Sequence, residues 1–116
     1  MKWSELTTPE RDKLIAAEIF RAVRHESLRW NWQIGNRRMK WLPSYSTDIS
    51  AAWEVIDKMS SCYWDMMLET GSKDPLSQVT FYRTNDIKSQ YHAVSLVVSE
   101  AICKAALRAI GIEIED

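Results

Sequence analysis

Between Arg24 and Trp41 five cations, Arg24, Arg29, Arg37, Arg38 and Lys40, are interleaved with three indoles, Trp30, Trp32 and Trp41, against a single acid, Glu26. Indole faces stack on nucleobases, and guanidinium forks take phosphate oxygens in pairs. The pattern therefore fits a phosphorylated nucleotide or a short single strand. Tyr45 and Ser46 follow closely, and Ser46 or Thr47 falls where a helix N-terminus offers backbone N–H groups to an anion. The candidate ligand-binding set is Arg29, Trp30, Trp32, Arg37, Arg38, Trp41, Tyr45 and Ser46. Within it Arg29, Arg37 and Arg38 are assigned to phosphate and the three indoles to stacking. The competing reading has the indoles cover a sheet or a partner subunit while the arginines face water.

Catalysis finds less material. His25 and His92 are far apart and lack metal-ligand spacing. Asp48 reads as a helix-capping group, and Asp65 and Glu69 as solvated positions on a strand. There is no Gly-rich phosphate loop, nucleophile motif or Cys-x-x-Cys. The two cysteines, Cys62 and Cys103, sit in apolar contexts and read as buried free thiols. The expectation is a binding protein without catalytic residues, metal or cofactor.

The bulk numbers agree with one domain over residues 1–116. At 13.5 kDa, with 46% hydrophobic and 27% charged residues, the chain is globular rather than disordered. A net charge of −1 and a pI near 6.1 give no global attraction to nucleic acid, so nucleic acid is a weaker partner than a small ligand. No apolar run reaches the roughly 20 residues of a membrane helix, and the first residues lack a signal-peptide core. The expected compartment is the cytoplasm. Six Trp against two Phe is the unusual count, since Trp suits ligand faces and interfaces as well as cores.

The elements that must position these side chains follow from periodicity. Thr8, Pro9 and Glu10 open a helix over about 9–24, with Leu14, Ile15, Ile19, Ala22 and Val23 as its apolar stripe. Residues 25–44 form an irregular Trp/Arg-rich segment, a small hairpin about Gly35-Asn36 or an ordered loop. A second helix runs to about Ser60, capped by Ser46 or Thr47, burying Ile49, Ala52, Trp53, Ile56 and Met59. Alternation then predicts three strands. The first has Cys62, Trp64, Met66 and Leu68 inward and turns at Gly71-Ser72-Lys73-Asp74-Pro75. The second ends at Asn85-Asp86, and the third spans about Gln90–Ser95. A last helix, capped by Ser99 or Ser95, carries an Ala101, Ile102, Ala105, Ala106, Ala109, Ile110 face and stops at Gly111. Three antiparallel strands with helical cover make a layered α+β fold.

Tyr45–Met59, Ala101–Ala109 preceded by Tyr91-His92-Ala93, and Leu14–Ile19 together resemble the phage ABA sandwich domain family, small proteins of tailed phages and prophages. The resemblance spans most of Leu14 to Gly111. It departs at Arg24–Leu42, where Trp and Arg are dense, and at Val97-Val98-Ser99-Glu100, where the family often has a Thr turn and Pro. It implies an α+β, three-layer α/β/α sandwich with a small, mainly antiparallel sheet covered by helices. It transfers no catalytic residue. Joined to the Trp/Arg segment, it leads to a non-catalytic phage accessory protein in the host cytoplasm. That protein would bind a small phosphorylated or nucleotide-like ligand, with sequestration of a host defence nucleotide signal as the biological extension. A homo-oligomer with its pocket at a subunit junction is expected. The alternative is a protein-interaction module that binds a host or phage protein through the same Trp/Arg surface.

Overall fold

The computed structural model describes residues 1–26, 30–70 and 75–115. Helix α1 spans Thr8–Glu18 and is capped by Thr7, one residue before the expected cap. The Thr7 hydroxyl accepts from Glu10 N while the Glu10 carboxylate accepts from Thr7 N at 3.0 Å, a reciprocal capping box. These bonds hold the Glu10 carboxyl below its ordinary range. The helix stops well short of residue 24. Arg21 takes a left-handed φ of 55°, and the Ala22 N–H turns back to Ala16 O at 2.9 Å. The apolar residues Ala22 and Val23 continue the helical spacing without continuing the helix, and Val23 is exposed, so the spacing there records neither the backbone state nor a buried face.

Val23–Arg24 instead form strand β1, which pairs with β2 (Trp32–Ile34) and through it with β3 (Arg37–Met39) in a small antiparallel sheet. Gly35 and Asn36 make the two-residue connection, and Gly35 sits at φ 58°. Only glycine takes that conformation without penalty. A Cβ there meets no neighbour within 4 Å, so any cost is conformational. Gly35→Ala is expected to destabilise the fold by about 1 kcal/mol, read as a lower urea midpoint at unchanged slope.

Helix α2, Ile49–Ser61, is capped by the Asp48 carboxylate, which accepts from Ser50 N at 2.9 Å. It buries Ala51, Ala52, Val55, Ile56 and Met59. Ala52, Ile56 and Met59 are buried as expected, but Ala51 and Val55 take the places of Ile49 and Trp53, which face solvent, Trp53 being 52% exposed. Trp53 is therefore not a core residue. Cys62 caps the C-terminal end of α2 in an exposed position, which also corrects its reading as a buried thiol.

The main sheet is antiparallel in the order β4 (Asp65–Thr70), β5 (Ser77–Arg83), β6 (Asp86–Ser95), with β5 central. The rows Met66–Phe81–Tyr91 and Leu68–Val79–Ala93 share one face, and Val79, Phe81 and Ala93 bury it. Trp64 is buried just before β4. Strand β6 begins earlier than expected, and most of the predicted 71–75 turn lies outside the described residues. Helix α3, Val98–Ala109, packs on β5 and β6 with α2 against it and α1 alongside. Enclosed this way, it buries every residue from Ala101 to Leu107, well beyond one face. Its N-cap, Val97, has no side-chain cap bond. Ser95 Oγ accepts from Val97 N at 3.1 Å, while the buried Ser99 hydroxyl donates to Ser46 O at 3.0 Å. Gly111, at φ 97°, ends the helix as expected. The fold is α+β, two small antiparallel sheets flanked by three helices, within the α/β/α sandwich class.

The chain ends clasp each other. Trp3 N donates to Glu115 O and Glu115 N to Met1 O, each at 2.8 Å. Trp3 is only 2% exposed. Its indole N–H donates to the Glu100 carboxylate, and the Arg11 guanidinium lies 4.7 Å over its ring.

Burial raises the Cys103 thiol and the Tyr45 hydroxyl well above their ordinary ranges, with the acids Asp12 and Glu100 adding to the first and Glu54 to the second. Both groups stay protonated in the folded chain while the unfolded chain releases their protons above about pH 9. The stability these two groups contribute is therefore complete below that pH and is lost as pH rises, by up to about 1.4 kcal/mol per pH unit for each group. Melting curves from pH 8 to 11 check this. In Cys103→Ala the onset moves upward toward the phenol range.

Candidate functional site

The first turn of α1 and the small sheet enclose a cleft of about 480 Å³. Its walls include Asp12 and Lys13 from α1, Arg24 from β1, Trp32 from β2, and Lys40, Trp41 and Leu42 from the segment after β3. Antiparallel pairing places Arg24 opposite Trp32 and Trp32 opposite Met39, and cross-strand partners share a face. The Arg24 guanidinium lies 5.7 Å from the Trp32 ring centre, and Lys40 Nζ lies 5.6 Å from that of Trp41. His25 N donating to Asn31 O, and Asn31 N donating to Met39 O, extend the ladder beyond the short strands. Trp41 is 76% exposed while still forming part of the wall. An indole held at a cleft mouth in this way loses water when a flat ligand stacks on it, a contact worth about 1–3 kcal/mol.

Asp12 is 8% exposed and anchors the floor. Its Oδ1 accepts from Ser46 N at 2.9 Å and from Ser46 Oγ at 2.8 Å, joining α1 to the segment that leads into α2. Among the described residues, charge in the cleft is thus three cations against one carboxylate. Helix termini add little for an anion. Pro9 has no N–H, Glu10 N is taken by Thr7, and the Asp48 carboxylate occupies the start of α2. Side chains must carry the electrostatics.

The residues singled out from sequence separate in space. Trp32 and Trp41 line the cleft together. Trp30 stands edge-on to His25 at 4.6 Å and carries Arg38 over its ring at 4.9 Å. Arg37, adjacent to Arg38 in the same strand and so on its opposite face, meets Glu54 of α2 at 3.5 Å as an exposed ion pair. Tyr45 is 0% exposed and stacks on Phe20 at 5.0 Å, with no partner for its hydroxyl among the described residues. Ser46 is buried against Asp12, its N–H already donated. Arg29 lies outside the described residues. Asp12, Lys13, Arg24 and Lys40 complete the cleft without belonging to the sequence-derived set. The signal for Arg24 was its partnership with Trp32, which becomes visible only once Val23–Arg24 is known to be a strand.

Among the described residues no three His, Cys, Asp or Glu side chains gather as a metal-binding group, and no helix is long and apolar enough to cross a membrane.

The architecture is that of a small α+β sandwich with a cationic, indole-walled cleft beside its main core. The chain belongs to the phage ABA sandwich domain family, whose model matches residues 13–107. It is similar to a phage protein from Bacillus cereus ATCC 14579 known from a 2.0 Å crystal structure. The two share 25% identity and a TM-score of 0.72, over 95% of this chain and 93% of that one. A comparison with curated proteins finds no match.

Proposed function

We propose that this phage-family protein binds a small phosphorylated, nucleotide-like ligand in the cleft between α1 and the small sheet, without turning it over. The observation that supports this is the convergence of Trp32 and Trp41 with Arg24, Lys40 and Lys13 on one ligand-sized space. The indoles offer stacking faces, and the cations offer charge-assisted bonds to phosphate. Of the sequence-derived set, Trp32 and Trp41 act on the ligand directly. Trp30, Arg37, Arg38 and Tyr45 are not among the described lining residues, and Ser46 acts only by holding Asp12. In the host cytoplasm such a protein would hold a defence nucleotide away from its receptor, a task that requires affinity and no chemistry.

Titration with nucleoside monophosphates tests the reading through indole fluorescence. Saturable quenching is expected, with the nucleotide recovered intact from denatured protein. Absence of any binding overturns the proposal, and recovery of cleaved ligand alone replaces it with an enzyme. Binding should weaken with salt, since three cations face the ligand. We also propose a homo-oligomer, which native mass spectrometry reads directly as a subunit number.

One observation favours the alternative of a protein partner. Ile49 and Trp53, four residues apart on α2, leave an exposed apolar pair next to the Arg37–Glu54 bridge. If that pair were the working surface, Trp53→Ala would abolish a protein complex and leave nucleotide quenching at Trp32 and Trp41 unchanged.

A further inference from the structure

We infer that the cleft selects guanine among the nucleobases, with the Asp12 carboxylate reading its donor edge. The inference rests on the nucleotide reading above. A carboxylate is out of place in a site made only for phosphate, because it repels the anion that the neighbouring cations attract. Asp12 is nevertheless the one acid among the described residues of the cleft walls, and it is nearly buried there. Its two oxygens are used unequally. Oδ1 accepts from both the backbone N–H and the hydroxyl of Ser46, which fills its two acceptor positions. Oδ2 has no hydrogen-bond partner among the described residues, and none of the cleft cations comes within ion-pair distance of Asp12 among those residues. Two acceptor positions thus remain on a charged oxygen at the cleft wall.

Guanine supplies two adjacent donors, its N1–H and its N2 amino group, on one edge. Adenine and cytosine place a ring acceptor beside their amino donor, and uracil flanks its single N–H with two carbonyls. Those acceptors face the carboxylate with like polarity. A site built around an acceptor rejects a base that cannot donate, because the bound base takes water from the oxygen and leaves it unpaired. Trp32 and Trp41 stack on any base and carry no such choice, so the discrimination falls to Asp12.

The test uses the full chain with guanosine, inosine, xanthosine and adenosine monophosphates, followed by calorimetry. Guanosine monophosphate is expected to bind about tenfold or more tightly than the adenosine and xanthosine forms. Inosine monophosphate, which keeps N1–H and lacks the amino group, should fall between. Asp12→Asn retains an acceptor for Ser46 and replaces Oδ2 by an amide donor. It is expected to reverse the order, favouring the xanthosine form, whose 2-carbonyl accepts. If Asp12→Asn does not fold, the four-base series on the unaltered chain still decides. Equal affinity for all four overturns the guanine inference and leaves the nucleotide reading standing. Binding of none overturns both. A guanine preference that survives Asp12→Asn in a folded variant overturns the role of Asp12.

Discussion

Arg24→Ala combined with Lys40→Ala is expected to raise the dissociation constant for a nucleoside monophosphate by about a hundredfold or more and to leave circular dichroism unchanged, if the proposed cleft holds the ligand. Both side chains are exposed and line the cleft, one beside each indole. Each hydrogen bond to a charged phosphate oxygen contributes about 1.5–3 kcal/mol, so losing two removes about 3–6 of the about 8 kcal/mol that holds a micromolar ligand. Their cation–π contacts stabilise the free protein by about 0.5–1 kcal/mol each, which predicts a modest drop in melting temperature and no loss of fold. The matched control is Arg37→Ala with Arg38→Ala. Arg37 is engaged with Glu54, and Arg38 lies over Trp30, outside the cleft wall. Affinity in that control should change by less than about threefold. The opposite pattern, binding lost in the control and kept in the first variant, would move the phosphate to the hairpin tip.

Trp3→Ala is the largest stability effect expected, about 3–5 kcal/mol. The ring is buried against the core, its N–H is paired with Glu100, and Arg11 covers its face. Truncation leaves a cavity and removes a partner from both charged neighbours. The Trp3 carbonyl still accepts from Arg11 Nη2 at 2.8 Å, so the backbone clasp with Glu115 persists in part. For a domain whose total stability is about 5–15 kcal/mol, that loss is a large fraction. Urea denaturation measures it, and a change below about 1 kcal/mol would show that the terminal clasp is not part of the cooperative fold. Trp3→Phe keeps most of the packing and loses the bond to Glu100. It should cost roughly a third as much.

Much of the frame is legible in local sequence. The Gly35-Asn36 turn, the alternation through Val79 and Phe81, and the stop at Gly111 each depend on backbone chemistry within a few residues, so reading them needs no knowledge of distant contacts. The end of α1 is different. Ala22 and Val23 keep the spacing of an amphipathic helix, yet Arg21 turns left-handed and the chain leaves as a strand. What makes it a strand is pairing with Trp32 and Gln33, about nine residues on. The same long-range pairing brings Arg24 to Trp32 and so builds the cleft.

Helix faces show the same division. Both α2 and α3 follow from apolar spacing, but which residues are buried depends on how many neighbours surround each helix. With the main sheet on one side and α2 against it, α3 encloses even Lys104. Helix α2 packs mainly on α3, with slighter contact to β4, and leaves Trp53 in solvent. The sequence by itself determined the order of the three helices and the main-sheet strands, the antiparallel main sheet, the family and the Trp/Arg concentration, because each is written in residue type and near-neighbour spacing. Only the tertiary structure decided which indoles and cations share a space and that Asp12 sits among them. Those are contacts between strands and helices distant along the chain, and local periodicity carries no record of them.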